Sequence, residues 1–543
     1  MTTPKTTPRT RGADLLAQTL AAAGVTRIFS LSGNQIMPIY DACIDAGIRI
    51  IHTRHEAAAV FMADAHAQLT GEIGVCMVTA APGATNALGP LFTARQSESP
   101  ILFLTGDSSR AQDGKGAFQE LDQVPITAPL TKLSFRATRA RDIGTETARA
   151  IRTALSGRPG PVHIALPFDV IEADAAGGTL PSPQDMTRDT AALSDEDTQK
   201  IAEMIGAAKT PLILCGPVMN ATRQGDLTAA LAKATDAPVI AMESPRGLKD
   251  PSLGDFAIAL KQADLIVCLG KPVNFTLGFG GPAVCHPDAR WVVVDVEAVE
   301  RDRAALNLGS RLTLCLAADP REAADALIAA ARKGPARTAW QKEVADRIAA
   351  RVVPETDTQT ITPSELCAAV QRQIDSHAPS IVICDGGEFG QWAQAGTKGT
   401  QRIINGPSGA IGGALCYGVA ARLANPKATV FALMGDGTVG FHFAEFETAA
   451  RENCPFVVVI GNDECWNAEH QIQMRDYGPD RLIGCTLSGA RYDLAVAALG
   501  GHGEYVTDPA DLDAALTRAV NSGKVACVNV RIKGLPAPAG SAH

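Results

Sequence analysis

Apolar positions along the chain fall into two alternating kinds of segment. Short β-branched runs at Arg27–Leu31, Ile48–His52, Gly74–Thr79 and Pro100–Thr105 each end in Gly, Pro or polar turn residues. Stretches with helical spacing, such as Ala13–Ala23 and the Ala-rich Glu56–Leu69, lie between them. Strand-length apolar runs alternating with helices predict a parallel α/β sheet. This first unit closes at Pro161–Pro167. The alternation returns at Pro211–Cys215, Pro238–Ala241, Leu265–Cys268 and Trp291–Val296, and again at Ile381–Cys384, Thr429–Met434, Phe456–Ile460 and Ala526–Val530. Two weakly patterned stretches, Asp174–Asp195 and about Lys333 to Thr362, read as connectors. Three α/β domains are therefore expected, at 10–175, 195–335 and 362–533. No short repeat is visible, and the Gly/Pro/Ala/Ser tail after Ile532 is expected to be mobile.

Composition narrows the class. With 543 residues and 46% apolar content the chain can bury more than one core, which excludes a disordered, collagenous or coiled-coil protein. Its longest apolar runs, Ala428–Met434 and Pro455–Gly461, fall far short of the roughly 20 residues of a membrane span. The polar N-terminus reads as a frayed tail, not a signal peptide. Net charge is −9 and no basic stripe stands out, so neither nucleic acid nor membrane is an expected partner. Thirteen cysteines without CxxC spacing point to reduced, buried thiols in a cytoplasm, not to disulfides or zinc.

Chemistry concentrates in the third domain. Strand Thr429–Met434 runs into Gly435-Asp436-Gly437-Thr438, and 27 positions after Asp436 the next buried strand ends at Asn462-Asp463. Ligands of open parallel sheets gather at carboxyl strand ends. Two carboxylates there form a hard oxygen site suited to Mg²⁺, which keeps few protein ligands and binds phosphates. The flanking glycines admit backbone N–H groups to a phosphate, and Thr438 adds a hydroxyl. Gly-Asp-Gly alone is also common turn chemistry. The paired strand ends favour the diphosphate site.

At this point the chain resembles a family. The Gly-Asp-Gly motif followed by Asn-Asp at this spacing is similar to the signature of thiamine diphosphate enzymes of the acetolactate synthase, pyruvate decarboxylase and benzaldehyde lyase branch. Arg54-His55-Glu56-Ala57-Ala58-Ala59, Pro82-Gly83-Ala84-Thr85-Asn86, Ala117-Phe118-Gln119-Glu120, Thr131-Lys132 and Asp385-Gly386-Gly387 match in order across nearly the full length. The resemblance implies three doubly wound parallel-sheet domains, binding pyrimidine, structural, and binding diphosphate with metal. It implies that Asp436, Asp463 and the backbone carbonyl of Cys465 hold Mg²⁺, with Asp463 where many relatives carry Asn. Pro82, Asn86, Gly387, Glu388, Phe389, Gly435, Gly437, Thr438 and Trp466 would contact the cofactor. Glu56 alone reads as an acid favouring a helix N-terminus. By resemblance it is a buried carboxyl with a raised pKa that bonds the aminopyrimidine and promotes loss of the thiazolium C2 proton. Glu56 and Asp436 would meet across a subunit interface, making a homodimer the minimum and a homotetramer the expected assembly.

The substrate is less constrained. Gln119 and Phe118 resemble residues lining the reaction space, and Lys132 has a counterpart there or is a solvated edge lysine. Asn34 and Gln35 orient a polar substrate or cap the following helix. Trp466 narrows the pocket or belongs to the core, and His470, one turn later, is an acid/base or a surface histidine. The residue bending the cofactor is Gly409 by straight alignment or Ile411, after Ala410, with a local gap. FAD is not favoured, because Gly270–Gly281 lacks an Arg-rich pattern. The expected activity is acetolactate-synthase-like: decarboxylation of a 2-oxo acid and addition of the acyl carbanion to a second carbonyl. A lyase for 2-hydroxy ketones or 2-hydroxyacyl thioesters is the alternative, and a non-catalytic cofactor-binding homologue the third reading.

Overall fold

The computed structural model describes residues 10–331, 336–350 and 359–538. The N-terminal tail read from the sequence lies outside them. The chain divides into two compact units, the first ending at Asp189 and the second beginning at Thr190.

The first unit holds one six-stranded sheet of β1 (Arg27–Ser30), β2 (Arg49–His52), β3 (Gly74–Val78), β4 (Ile101–Asp107), β5 (Leu133–Arg136) and β6 (Val162–Pro167). The strands lie in the order β2-β1-β3-β4-β6-β5, with every pair parallel. Parallel strands covered by helices on both faces are buried throughout, which is why β3 and β4 read as unbroken apolar runs.

The second unit carries two sheets. The five-stranded one comprises β7 (Pro211–Cys215), β8 (Val239–Ala241), β9 (Leu265–Leu269), β10 (Arg290–Val294) and β11 (Leu312–Leu316), in the order β11-β10-β9-β7-β8. The six-stranded one comprises β12 (Ser380–Cys384), β13 (Gln401–Ile404), β14 (Thr429–Gly435), β15 (Val457–Asn462), β16 (His502–Val506) and β17 (Ala526–Arg531), in the order β13-β12-β14-β15-β17-β16. Its topology repeats that of the first sheet strand for strand. The chain thus contains a duplicated fold without a visible sequence repeat.

Two expectations need correction. The connector after Lys333 holds a helix, Thr338–Ala349, whose Trp340 and Val344 enter the core of the five-stranded sheet. Trp340 donates its indole N–H to the Pro211 carbonyl at 2.8 Å, and Arg337 donates to the carbonyls of Ile205 and Gly206. The tail after Ile532, expected to be mobile, is tied down as far as it is described. Lys533 N–H bonds the Ile361 carbonyl at 2.9 Å, and Asn467 donates to the Leu535 carbonyl at 2.9 Å.

All thirteen cysteines are free thiols, eleven of them buried. Among the described residues no helix is long and apolar enough to cross a membrane.

Candidate active site

In a doubly wound sheet the strand order reverses at one point, and a crevice opens there beyond the carboxyl ends of the two strands. In the third sheet that point lies between β12 and β14. The loops leaving β12, β14 and the adjacent β15 enclose a cavity of about 170 Å³ walled by Gly387, Glu388, Ile411, Asp436, Asp463 and Trp466, among others.

Asp436 and Asp463 follow the paired strand ends Gly435 and Gly461. Asp436 is buried, and its Oδ2 has no hydrogen-bond partner. Burial raises both carboxyl groups above the usual carboxylate range, and the charge of Asp463 raises Asp436 further. The Asp463 carboxylate accepts the N–H of Cys465. A desolvated acidic pair with an orphaned oxygen is costly unless a cation shares it. Among the described residues no group of three or more His, Cys, Asp or Glu side chains forms a metal cluster. Two carboxylates and a backbone carbonyl are the sparse donor set that Mg²⁺ uses when phosphates complete its shell.

The same wall suits an anion. Helix Gly387–Gly396 begins at the cavity with no side chain capping it, so its first N–H groups face the space. Gly387 has φ +77°, open to glycine without strain. Arg246, from a distant loop, brings a cation, and its charge draws the Glu388 carboxyl down against the larger upward effect of burial. The Glu388 carboxylate itself accepts from Gln391 Nε2 at 2.8 Å and from the Ala537 N–H. Phe389 contributes backbone, because its ring is buried against Gly461, where an added Cβ would come within 2.5 Å of it. These residues fit a Mg²⁺-bound diphosphate.

The loop opposite is anchored by a residue whose role the sequence left unspecified. Asp385, fully buried at the end of β12, accepts the N–H groups of Gly386 at 2.6 Å, Gly412 at 2.9 Å and Ala414 at 3.2 Å. It thereby fixes the segment carrying Ala410 and Ile411. Asn405 Nδ2 holds the Ala410 carbonyl at 3.1 Å. Ile411 packs on Gly386, where an added Cβ would lie 2.5 Å from its Cγ2, while Gly409 has φ +70°. Of the two candidates for the bend, Ile411 is the one with a side chain at this wall.

Trp466 lies on Gly437, whose missing Cβ would sit 2.6 Å from its ring, and packs edge-on against Phe441. The Thr438 hydroxyl donates to the Gly435 carbonyl at 3.1 Å, tightening the turn. His470 lies one helical turn beyond Trp466, as its spacing predicts, yet Glu469, not His470, reaches the cavity wall.

In the first unit Glu56 opens the helix Glu56–Thr70, and Asn86 Nδ2 donates to its Oε2 at 3.1 Å. The carboxylate is half-buried within this unit. Asn86 ends the short helix Pro82–Asn86, of which Pro82 and Asn86 are both exposed. Gln35 is buried, and its Oε1 accepts the Thr79 hydroxyl at 2.7 Å. Asn34 stays exposed. Lys132 donates its ammonium to the Ser156 carbonyl, beside edge strand β5. Gln119 sits at φ +59° with its Oε1 buried and unpaired, and Phe118 is 76% exposed. Their loop is held by Glu120, whose carboxylate accepts the N–H groups of Gly116 at 2.9 Å and Ala117 at 3.0 Å.

Comparison with known proteins agrees with this geometry. Three family models match in order: "Thiamine pyrophosphate enzyme, N-terminal TPP binding domain" at residues 10–126, the "central domain" at 198–327, and the "C-terminal TPP binding domain" at 385–530. The acetolactate synthase large subunit IlvG of Mycobacterium tuberculosis is 32% identical over 539 residues, covering 95% of this chain and 94% of the relative. Human 2-hydroxyacyl-CoA lyase 2 is 30% identical over 549 residues, covering 91% and 84%. The catabolic acetolactate synthase of Raoultella terrigena is 29% identical, covering 98% and 97%. Sheet order, the crevice between β12 and β14 and these matches converge: the chain belongs to the thiamine pyrophosphate-dependent enzymes.

Proposed function

We propose that this enzyme uses thiamine diphosphate and Mg²⁺ to make or break a carbon–carbon bond next to a carbonyl, by decarboxylating a 2-oxo acid and joining the acyl unit to a second carbonyl. The supporting observation is the buried pair Asp436 and Asp463 beside an uncapped helix N-terminus. Bound thiamine diphosphate supplies a carbon nucleophile and an electron sink. Asp436, Asp463 and the Cys465 carbonyl would hold the metal, and Gly387, Glu388 and Phe389 would meet the diphosphate through backbone N–H groups. Ile411 would support the cofactor's bend. Glu56, oriented by Asn86, would bond the aminopyrimidine and hold a proton at its ring nitrogen. Gln119 would face the reacting carbonyl. A homodimer is the minimum unit of this reading and a homotetramer its expected assembly.

A lyase acting on 2-hydroxy ketones or 2-hydroxyacyl thioesters is the second reading. It is supported by Trp466, whose ring occupies the cavity wall, and by relatives named 2-hydroxyacyl-CoA lyase 2. Purified protein supplied with thiamine diphosphate and Mg²⁺ is to be screened against both substrate classes. Carbon dioxide release from 2-oxo acids supports the first reading, and aldehyde release from 2-hydroxy ketones alone supports the second. Turnover of neither class, with no cofactor bound, overturns both.

A further inference from the structure

The loop that carries Phe118 and Gln119 joins β4 to the short helix Gln123–Thr127. Both ends of it are tied down. The Arg110 N–H bonds the Asp169 carboxylate at 3.0 Å, and Gln123 Nε2 donates to the Gly106 carbonyl at 2.9 Å. Packing constrains the tip less. Gly114 and Gly116 both have φ +73°, and a Cβ added to either meets nothing within 4 Å. Glu120 accepts the N–H groups of Gly114, Gly116 and Ala117, which fixes the shape of the tip but not its place over the sheet.

Arg136 supplies that place. It ends β5, and β6 lies between it and β4. Its Nε donates to Asp107 Oδ2, at the end of β4, at 2.5 Å, and its Nη2 to the Ser108 carbonyl at 3.1 Å. Nη1 and Nη2 then grip the two oxygens of Asp113, at 2.7 and 2.9 Å. Asp107 is buried and Asp113 is exposed, so the guanidinium links a fixed point of the sheet to a loop in solvent. A two-pronged guanidinium–carboxylate pair fixes direction as well as distance. Asp113 directly precedes Gly114, where the tip begins. Further along, Gln119 has φ +59°, a conformation uncommon for a residue with a side chain and kept only where the surroundings impose it.

We propose that Arg136 is a positioning residue: through Asp113 it holds the loop tip where Gln119 meets the reacting carbonyl. This rests on the reading of Gln119 given above and adds the residue that sets its place. Arg136 acts without touching substrate, because its guanidinium is committed to Asp107, Ser108 and Asp113. With the grip on Asp113 lost, the tip pivots about its glycines, and the competent position becomes one of several. The rate then falls with the fraction of molecules in that position. The fold stays intact, since an exposed ion pair contributes little to global stability.

Asp113→Asn tests this in the holoenzyme, because it releases the loop while Arg136 stays paired with the buried Asp107. Hydrogen–deuterium exchange should quicken at least about fivefold across 113–120 and nowhere else, with Tm unchanged. With pyruvate standing for 2-oxo acids and acetoin for 2-hydroxy ketones, kcat should fall about fivefold with little change in KM. Asp113→Glu keeps a carboxylate and should retain most of the rate. In a Gln119→Ala background Asp113→Asn should cost nothing further, because both changes act through one group. Unchanged exchange overturns the inference, as do additive losses in the double variant or a fall in Tm with exchange spreading through the sheet. Each of these leaves the general reading standing. Wild-type kinetics in Gln119→Ala overturn the role given to Gln119 and the inference with it.

Discussion

Asp436 stands one residue beyond Gly435 and Asp463 two beyond Gly461, its partner on the next strand, and the two carboxyl groups interact directly inside a buried wall. In metal-free protein this is a repulsive arrangement, which on the proposed function Mg²⁺ would convert into a binding site. Asp463→Asn keeps an oxygen and removes one charge. It should raise the Tm of the metal-free protein while weakening Mg²⁺–cofactor binding about tenfold, or about 1.4 kcal/mol. Asp436→Ala should abolish binding. Thermal-shift titration with Mg²⁺ and thiamine diphosphate reads both, and an unchanged Tm in metal-free Asp463→Asn contradicts the repulsion.

Glu56→Gln should leave cofactor binding within severalfold of wild type while slowing C2 proton exchange of bound cofactor by about 10²–10⁴. Quenched deuterium exchange followed by NMR measures it. Asn86→Ala should have a smaller effect of the same sign, since it removes one hydrogen bond to the carboxylate and leaves the carboxylate itself in place.

Gly437→Ala places a methyl group within 2.6 Å of the Trp466 ring. The tryptophan must swing away, at a cost of about 1–3 kcal/mol. Denaturant unfolding should show that loss, and the indole emission should shift. Intact emission would mean that the ring does not rest on this glycine.

Truncation after Ile532 removes the Leu535 carbonyl bonded to Asn467 and the Ala537 N–H bonded to Glu388. Freed of that contact, Glu388 can turn toward the diphosphate, so the cofactor should dissociate faster while global stability barely changes. Stopped-flow displacement of bound cofactor tests this.

His163 is fully buried among hydroxyls, with Thr105 Oγ1 2.9 Å from Nε2 and Thr127 Oγ1 2.8 Å from Nδ1. Burial lowers its pKa from 6.5 to about 3. Below pH 6.5 the unfolded chain takes up a proton that the folded chain refuses. The stability tied to the neutral ring is therefore complete above 6.5 and is lost as pH falls toward about 3. Urea denaturation across that range should show a shallower decline for His163→Gln than for wild type.

The sequence exposed the fold wherever burial was two-sided. Each of the thirteen strands it predicted exists, with ends displaced by at most two residues. The four it missed, β5, β11, β13 and β16, are all sheet edges. Their residues are mostly half-exposed, so no apolar run announces them. The helix at Thr338–Ala349 was hidden for a similar reason, since only Trp340 and Val344 of its face are buried. At the site, Asp436 and Asp463 were legible because adjacent strands put local motifs side by side. Arg246 and Asn405 were not, because each comes from a segment with no motif of its own. The Thr79 partner of Gln35 was not legible either, because a polar residue after a strand looks the same whether it meets a ligand or a neighbouring hydroxyl.

The shared strand order of the first and third sheets gives the chain two crevices of common design, and they have diverged in opposite directions. In the first, Gln35 and Thr79 bond to each other beyond the strand ends, and Glu56 opens a helix of the same unit. The other is hollowed out by glycines around an acidic pair. On the proposed function this is a division of labour: substitutions in the first copy would retune the acid at Glu56 without disturbing the grip on phosphate, and substitutions in the second would do the converse. Mutant libraries confined to one sheet should therefore change activation or retention of the cofactor separately.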